Sequence, residues 1–205
     1  IVNGIYHNLA YIDNKLGRAS QTKEFLAKEY DKNQSIESLL RLLFLRFETK
    51  DFQEDKYLNA ASEIIDEEAQ VLVVLTYLNL NKKEEAKPHL LKALFLNDSS
   101  YNAYLGYYNA CEHKDHEDKI ERVSEGAVCI LKDEQKNIVK VGIHKPEFLQ
   151  GMNPKNVAGC EHYSSETPIA SNFLFSEIGD KINYNGVEYE IVDIKSIDAI
   201  ISACA

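Results

Sequence analysis

Ile182-Asn183-Tyr184-Asn185-Gly186-Val187-Glu188-Tyr189-Glu190-Ile191 carries the reading of the fold. Apolar residues alternate with polar ones on both sides of Asn185-Gly186, the period of a strand with one wet face. Asn-Gly tolerates positive φ at both positions and so favours a two-residue type I′ turn, which predicts a β-hairpin.

Outward from this hairpin, Ala127-Val128-Cys129-Ile130-Leu131 and Ile138-Val139-Lys140-Val141-Gly142-Ile143 flank the polar turn at 133–137 and predict a second one. Between the hairpins Thr167-Pro168 opens a short helix through Ile169, Ala170, Phe173 and Leu174, with threonine at the cap and proline at the first helical position. Gly179 closes this stretch before the next strand. The segment from His144 to Gly159, which contains Pro146, Gly151 and Pro154, reads as a long irregular loop and a candidate insertion for another partner.

Before residue 112 the period changes. Only Gly4, Gly17, Gly106 and Pro88 interrupt the stretch, and apolar residues recur at steps of three and four. Ile36, Leu39, Leu40, Leu43 and Phe47 form one stripe; Val71, Val74, Leu75 and Leu78 form another. Polar breaks at 31–35, 48–51, 66–67, 79–83 and 97–100 cut it into helices short enough to pack as antiparallel hairpins. Ala86, Leu90, Ala93 and Asp98 match Glu54, Leu58, Ala61 and Asp66, 32 positions earlier. Gln70, Val73, Val74 and Tyr77 fall 34 positions before Tyr104, Tyr107, Tyr108 and Cys111. A period near 34 with small residues at helix crossings resembles a tetratricopeptide array over residues 1–112. The large aromatic and glycine of that repeat's first helix, and its closing proline, are absent. Such arrays present a groove to a protein partner, and Tyr101, Tyr104 and Tyr107 are the candidate lining. Packing inside the last repeat is the plainer role for the same rings.

The expected fold class is therefore α+β in two domains: an all-α helical-hairpin array over 1–117, a linker over 118–125, and a small antiparallel sheet domain with one short helix over 126–205.

Ser165-Glu166-Thr167-Pro168-Ile169-Ala170, Ile178-Gly179-Asp180-Lys181-Ile182 and Tyr189-Glu190-Ile191 stand in an order similar to the C-terminal domain of the bacterial Gre transcript-cleavage elongation factors. There a small-residue helix leads to a Gly-Asp strand and a final Tyr-Glu-Ile strand. The resemblance covers about residues 124–195. It implies an FKBP-like fold and docking on RNA polymerase, with Pro168, Ile169, Phe173 and Phe175 as candidate contacts. The family's cleavage stimulation uses acidic residues at the tip of an N-terminal coiled coil, and this chain has helical repeats in that place. Asp66-Glu67-Glu68 reads as a solvated cap.

Charge narrows the partners. Lys and Arg total 23 and Asp and Glu total 33, for a net charge of -10. The acidic excess is shared evenly: 15 basic and 20 acidic residues precede residue 120, and 8 and 13 follow. Neither part offers the basic face that phosphate neutralisation requires, which disfavours direct nucleic-acid binding. No apolar run reaches the roughly 20 residues of a membrane span, and no signal peptide is evident at the start. Cys111, Cys129, Cys160 and Cys204 form no paired motif, which suits a reduced, cytoplasmic setting. The chain opens on Ile1 and reads as a piece of a longer protein.

Ile1-Val2-Asn3-Gly4 looks like a trypsin-type N-terminus, but no matching nucleophile loop exists. Cys111, His113 and His116 fall short of a closed metal site and read as a solvated helix end. Cys160 and His162 share a strand face, but nothing in the sequence orients a base toward the thiol. No catalytic residue, metal or cofactor is expected. The leading function is a non-catalytic interaction protein, transcription-related through RNA polymerase. An FKBP-like prolyl isomerase or folding helper, and a structural module of a longer scaffold, are the alternatives.

Overall fold

A computed structural model describes residue 15 and residues 17–100, 103, 106, 120–152 and 156–203. The chain divides into two compact units, Ile1–Leu90 and Leu91–Ala205.

Helices α1 (Ala19–Asn33), α2 (Ile36–Glu48), α3 (Lys56–Ser62), α4 (Glu67–Asn79) and α5 (Lys83–Leu96) occur in order, and α5 contributes its last turns, from Leu91, to the second unit. The junctions explain the boundaries. Gln34 ends α1 in the left-handed region (φ 53°) while its N–H donates to Tyr30 O. Ser35 then caps α2 by accepting from Ser38 N. Asp55 caps α3, accepting from the amides of Tyr57 and Leu58 at 3.0 and 3.2 Å. The same carboxylate receives two bonds from Arg46 at 3.1 and 2.9 Å, so one side chain starts α3 and ties it to the end of α2. Asp66 caps α4 through Ala69 N. That cap is the role the sequence assigns to the acidic turn at 66–68.

Buried Gln70 joins three segments. Its amide nitrogen donates to Ser62 O and Ile64 O, and its oxygen accepts from His89 Nδ1 at 2.7 Å. Leu26, Leu39, Leu42, Leu43, Leu58, Ala61, Val73, Val74 and Leu90 are among the buried apolar residues of this unit.

The second unit is built on β1 (Ala127–Lys132), β2 (Ile138–His144), β3 (Cys160–Ser164), β4 (Lys181–Tyr184) and β5 (Val187–Ser196), in spatial order β3-β2-β1-β5-β4. Short helices α6 (Pro146–Leu149), α7 (Pro168–Ser171) and α8 (Ile197–Ser202) punctuate it. Both expected hairpins form, with antiparallel pairing of β1 with β2 and of β4 with β5. Asn185 and Gly186 have φ of 53° and 81°, as a type I′ turn needs. The α+β arrangement is as read from the sequence, with two corrections. The sheet is mixed, because β3 runs parallel to β2, with Gly142 opposite His162. The stretch after His144 is therefore the crossover that a parallel pair requires, and it carries α6. The sheet domain also holds more than one short helix. A bulge at Val192 lets β5 pair Asp193 with Ile130 and then Ile191 with Leu131.

The two faces of the sheet have different cover. One face packs Ala127, Cys129, Leu131, Val141, Ile143, Ile182, Tyr184, Ile191 and Ile194 against Val123, Ala170 and Phe173. The sheet curls enough for its outermost strands to meet through side chains on this face. The hydroxyls of Tyr163 (β3) and Tyr184 (β4) are 2.7 Å apart, and both reach Glu161 Oε2. By alternation Gly142, His144, Cys160 and His162 lie on the opposite face. Phe95, from the last turn of α5, packs edge-on against both imidazoles there.

Candidate functional site

Among the described residues, the most exposed large apolar side chain is Phe175, in the turn that follows α7. Thr167 caps this helix, accepting from Ala170 N and donating to Ser164 O. Ala170 and Phe173 point into the core, and then the backbone enters the left-handed region at Phe175, with φ of 70°. A side chain there is strained by its own Cβ. The conformation is imposed from outside. Phe175 N donates to Val123 O and Val123 N donates to Ser176 O, both at 2.9 Å. Arg122 Nε bonds Glu177 Oε1 at 2.7 Å, and Asp180 Oδ2 accepts from Glu177 N at 2.8 Å. Gly179 N donates to Ile191 O, while Ile191 N donates to Asp180 O. Gly179 itself has φ of 97°.

A turn fixed by this many bonds holds Phe175 outward at 78% exposure, with Ile178 at 54%. Beside them a shallow cleft is lined by Asn172, Ser176, Asp180, Lys181, Ile182 and Asn183. Glu177 and Asp180 are exposed at this turn. Arg122 pairs with Glu177, and Lys181 pairs with Glu188, which raises the lysine's pKa through their hydrogen bond. Backbone strain maintained by surrounding bonds, spent on exposing a phenyl ring, is the pattern of a contact residue.

The sequence-derived candidates fare unevenly. Phe175 and Pro168 are exposed, and Ile169 is half-buried against the core. Phe173 is a correction: it is fully buried beneath the turn and edge-on to Tyr184, so it supports the surface and cannot touch a partner. Ile178, which the sequence reading passed over, belongs with Phe175; its place before Gly179-Asp180 was the available signal. Tyr101, Tyr104 and Tyr107 lie outside the described residues, as do Cys111, His113 and His116.

A second constellation has no counterpart in the sequence reading. His144 Nε2 lies 2.8 Å from His162 Nδ1, and His162 Nε2 lies 3.3 Å from Val157 O. Both rings are almost entirely buried. Burial, then the neighbouring imidazole, pushes His144 down to about 3, and burial pushes His162 down to about 4. Cys160 and His162 share a strand face as expected, but the ring nitrogens of His162 engage His144 and Val157. Cys129 sits in the core, where burial pushes its thiol up to about 12, far from a nucleophilic thiolate. Among the described residues no three potential metal ligands converge, and no helix is long and apolar enough to cross a membrane.

Comparison with known proteins adds little. No protein-family model matches the chain, and no curated protein does. Among solved structures, the chain is similar to the GreA factor homolog 1 (Gfh1) protein of Thermus thermophilus at 15% identity, covering 88% of this chain and 94% of that one. The TM-score is 0.31, too low for that likeness to carry a functional argument.

Proposed function

We propose that this chain is a non-catalytic interaction protein that docks on RNA polymerase through the turn bearing Phe175 and Ile178, with Pro168 and Ile169 beside it. The helical unit, a tetratricopeptide-like array, holds a second protein, with Tyr101, Tyr104 and Tyr107 contributing to its groove.

The observation that carries the docking surface is Phe175, an aromatic ring fixed in water by a turn that favours glycine. An exposed phenyl beside an isoleucine contributes nothing to this fold's core, yet offers a partner the apolar anchor that dominates protein interfaces. The choice of polymerase rests on the Gre-like order of residues 165–194 in the sequence.

The test is direct binding of the chain to purified bacterial core RNA polymerase by biolayer interferometry. The unaltered chain should bind, and Phe175→Ala should weaken binding by about 30-fold or more, the loss of one anchoring side chain. No binding by the unaltered chain removes the polymerase. Binding that Phe175→Ala leaves unchanged removes this surface.

A further inference from the structure

We propose that His144 and His162 form an acid-released latch: as neutral rings they hold Phe95 and residues 156–159 against the back face of the sheet, and proton uptake lets both go.

The hydrogen bonds determine where the protons sit. Val157 O only accepts, so His162 Nε2 carries a hydrogen. In the neutral ring Nδ1 is then a lone pair, and His144 Nε2 must donate into it across 2.8 Å. A second proton on His162 has one place to go, Nδ1, where it would face the His144 N–H. Charging His162 therefore breaks the bond that joins the rings unless His144 moves its own hydrogen to Nδ1, and in that arrangement the cation is still shut in beneath Phe95. A second proton on His144 would occupy Nδ1, and the charged ring would remain enclosed by Phe95 and by Phe148, which stacks on it at 5.6 Å. Stacking on phenyl offsets part of the cost of a buried cation, but less than full solvation does.

The site has no room to adapt. Gly142 lies directly under the pair: a Cβ there would come within 2.6 Å of His162 Nδ1 and 3.3 Å of His144 Nε2. Titratable groups on the surrounding elements give little compensation. Lys140 on β2 and Lys92 on α5 are cationic, and Cys160 on β3 is a buried thiol. Glu147 on α6 is exposed beside Lys145, and Glu125 accepts from Ser165 Oγ. Glu161 lies on the other face of β3, held by two tyrosine hydroxyls.

The sign follows from linkage. Both folded pKa values lie below the value of about 6.5 for a free histidine. The opened state therefore binds protons more tightly, and closure is at full strength above pH 6.5 and weakens as pH falls toward 4. With two groups the closed-to-open ratio falls by up to about 100-fold per pH unit in this window, and with one by about tenfold.

The test follows the histidine ring signals and the amide exchange of residues 156–164 by NMR, from pH 7.5 to 4.5, in the intact chain. Neither ring should titrate while those amides remain protected, and ring charging and loss of protection should coincide. His162→Gln keeps a donor for Val157 O and an acceptor for His144 but does not titrate; its opening should show the tenfold dependence. Either ring titrating near pH 6.5 with amides 157–163 still protected overturns the proposal. So does opening of His162→Gln with the same steepness as the unaltered chain.

Discussion

Replacing Gly142 with alanine isolates the geometry beneath the histidine pair. The new methyl would sit 2.6 Å from His162 Nδ1 and 3.2 Å from its Cε1, where relaxed contacts are about 3.5 Å or more. The ring has to retreat by about 1 Å, and Phe95 blocks its far side with centroids 4.8 Å apart. The 2.8 Å bond to His144 is then broken, leaving a buried donor and acceptor unpaired. Overpacking costs about 1–3 kcal/mol, and the lost pair about 1–3 kcal/mol. Against this, alanine reduces the freedom of the unfolded strand by about 0.5–1 kcal/mol. The expected net loss is about 1–5 kcal/mol. Urea unfolding at pH 7.5, followed through the second unit, measures it. In a His162→Ala background the methyl has space, and the same substitution should cost under about 1 kcal/mol, a coupling characteristic of direct contact. A loss below about 0.5 kcal/mol in the unaltered background, or equal losses in both, refutes this packing.

Three further outcomes follow from individual residues. Phe175→Gly relieves a left-handed strain that Phe175→Ala retains, so the glycine variant should be more stable by about 0.5–1 kcal/mol in thermal melts, although both lose the anchor; a less stable glycine variant would mean that the turn is not strained. Gln70→Leu removes the amide that donates to Ser62 O and Ile64 O and should destabilise the helical unit by about 2–4 kcal/mol in urea; a neutral result would show that those carbonyls reach water. Tyr184→Phe removes a hydroxyl shared by Glu161 and Tyr163 between the sheet's outer strands, with a cost of about 1–2 kcal/mol and faster amide exchange in β3 and β4; unchanged exchange would show that these strands hold their places without it.

Sequence by itself determined whatever depends on near neighbours along the chain. The Asn185-Gly186 hairpin, the caps at Asp66 and Thr167, and the switch from helical to strand period near residue 126 all involve groups a few residues apart. Tertiary structure alone decided the rest. Phe173 and Phe175 are the same residue type two positions apart, yet one is core and the other solvent-exposed, because Val123, 50 residues upstream, clamps the turn between them. His144 and His162 come together only because β3 enters the sheet parallel to β2 after a crossover, a pairing that no local pattern encodes. Periodicity assigns a side chain to a face, but what covers that face is chosen by contacts distant in sequence.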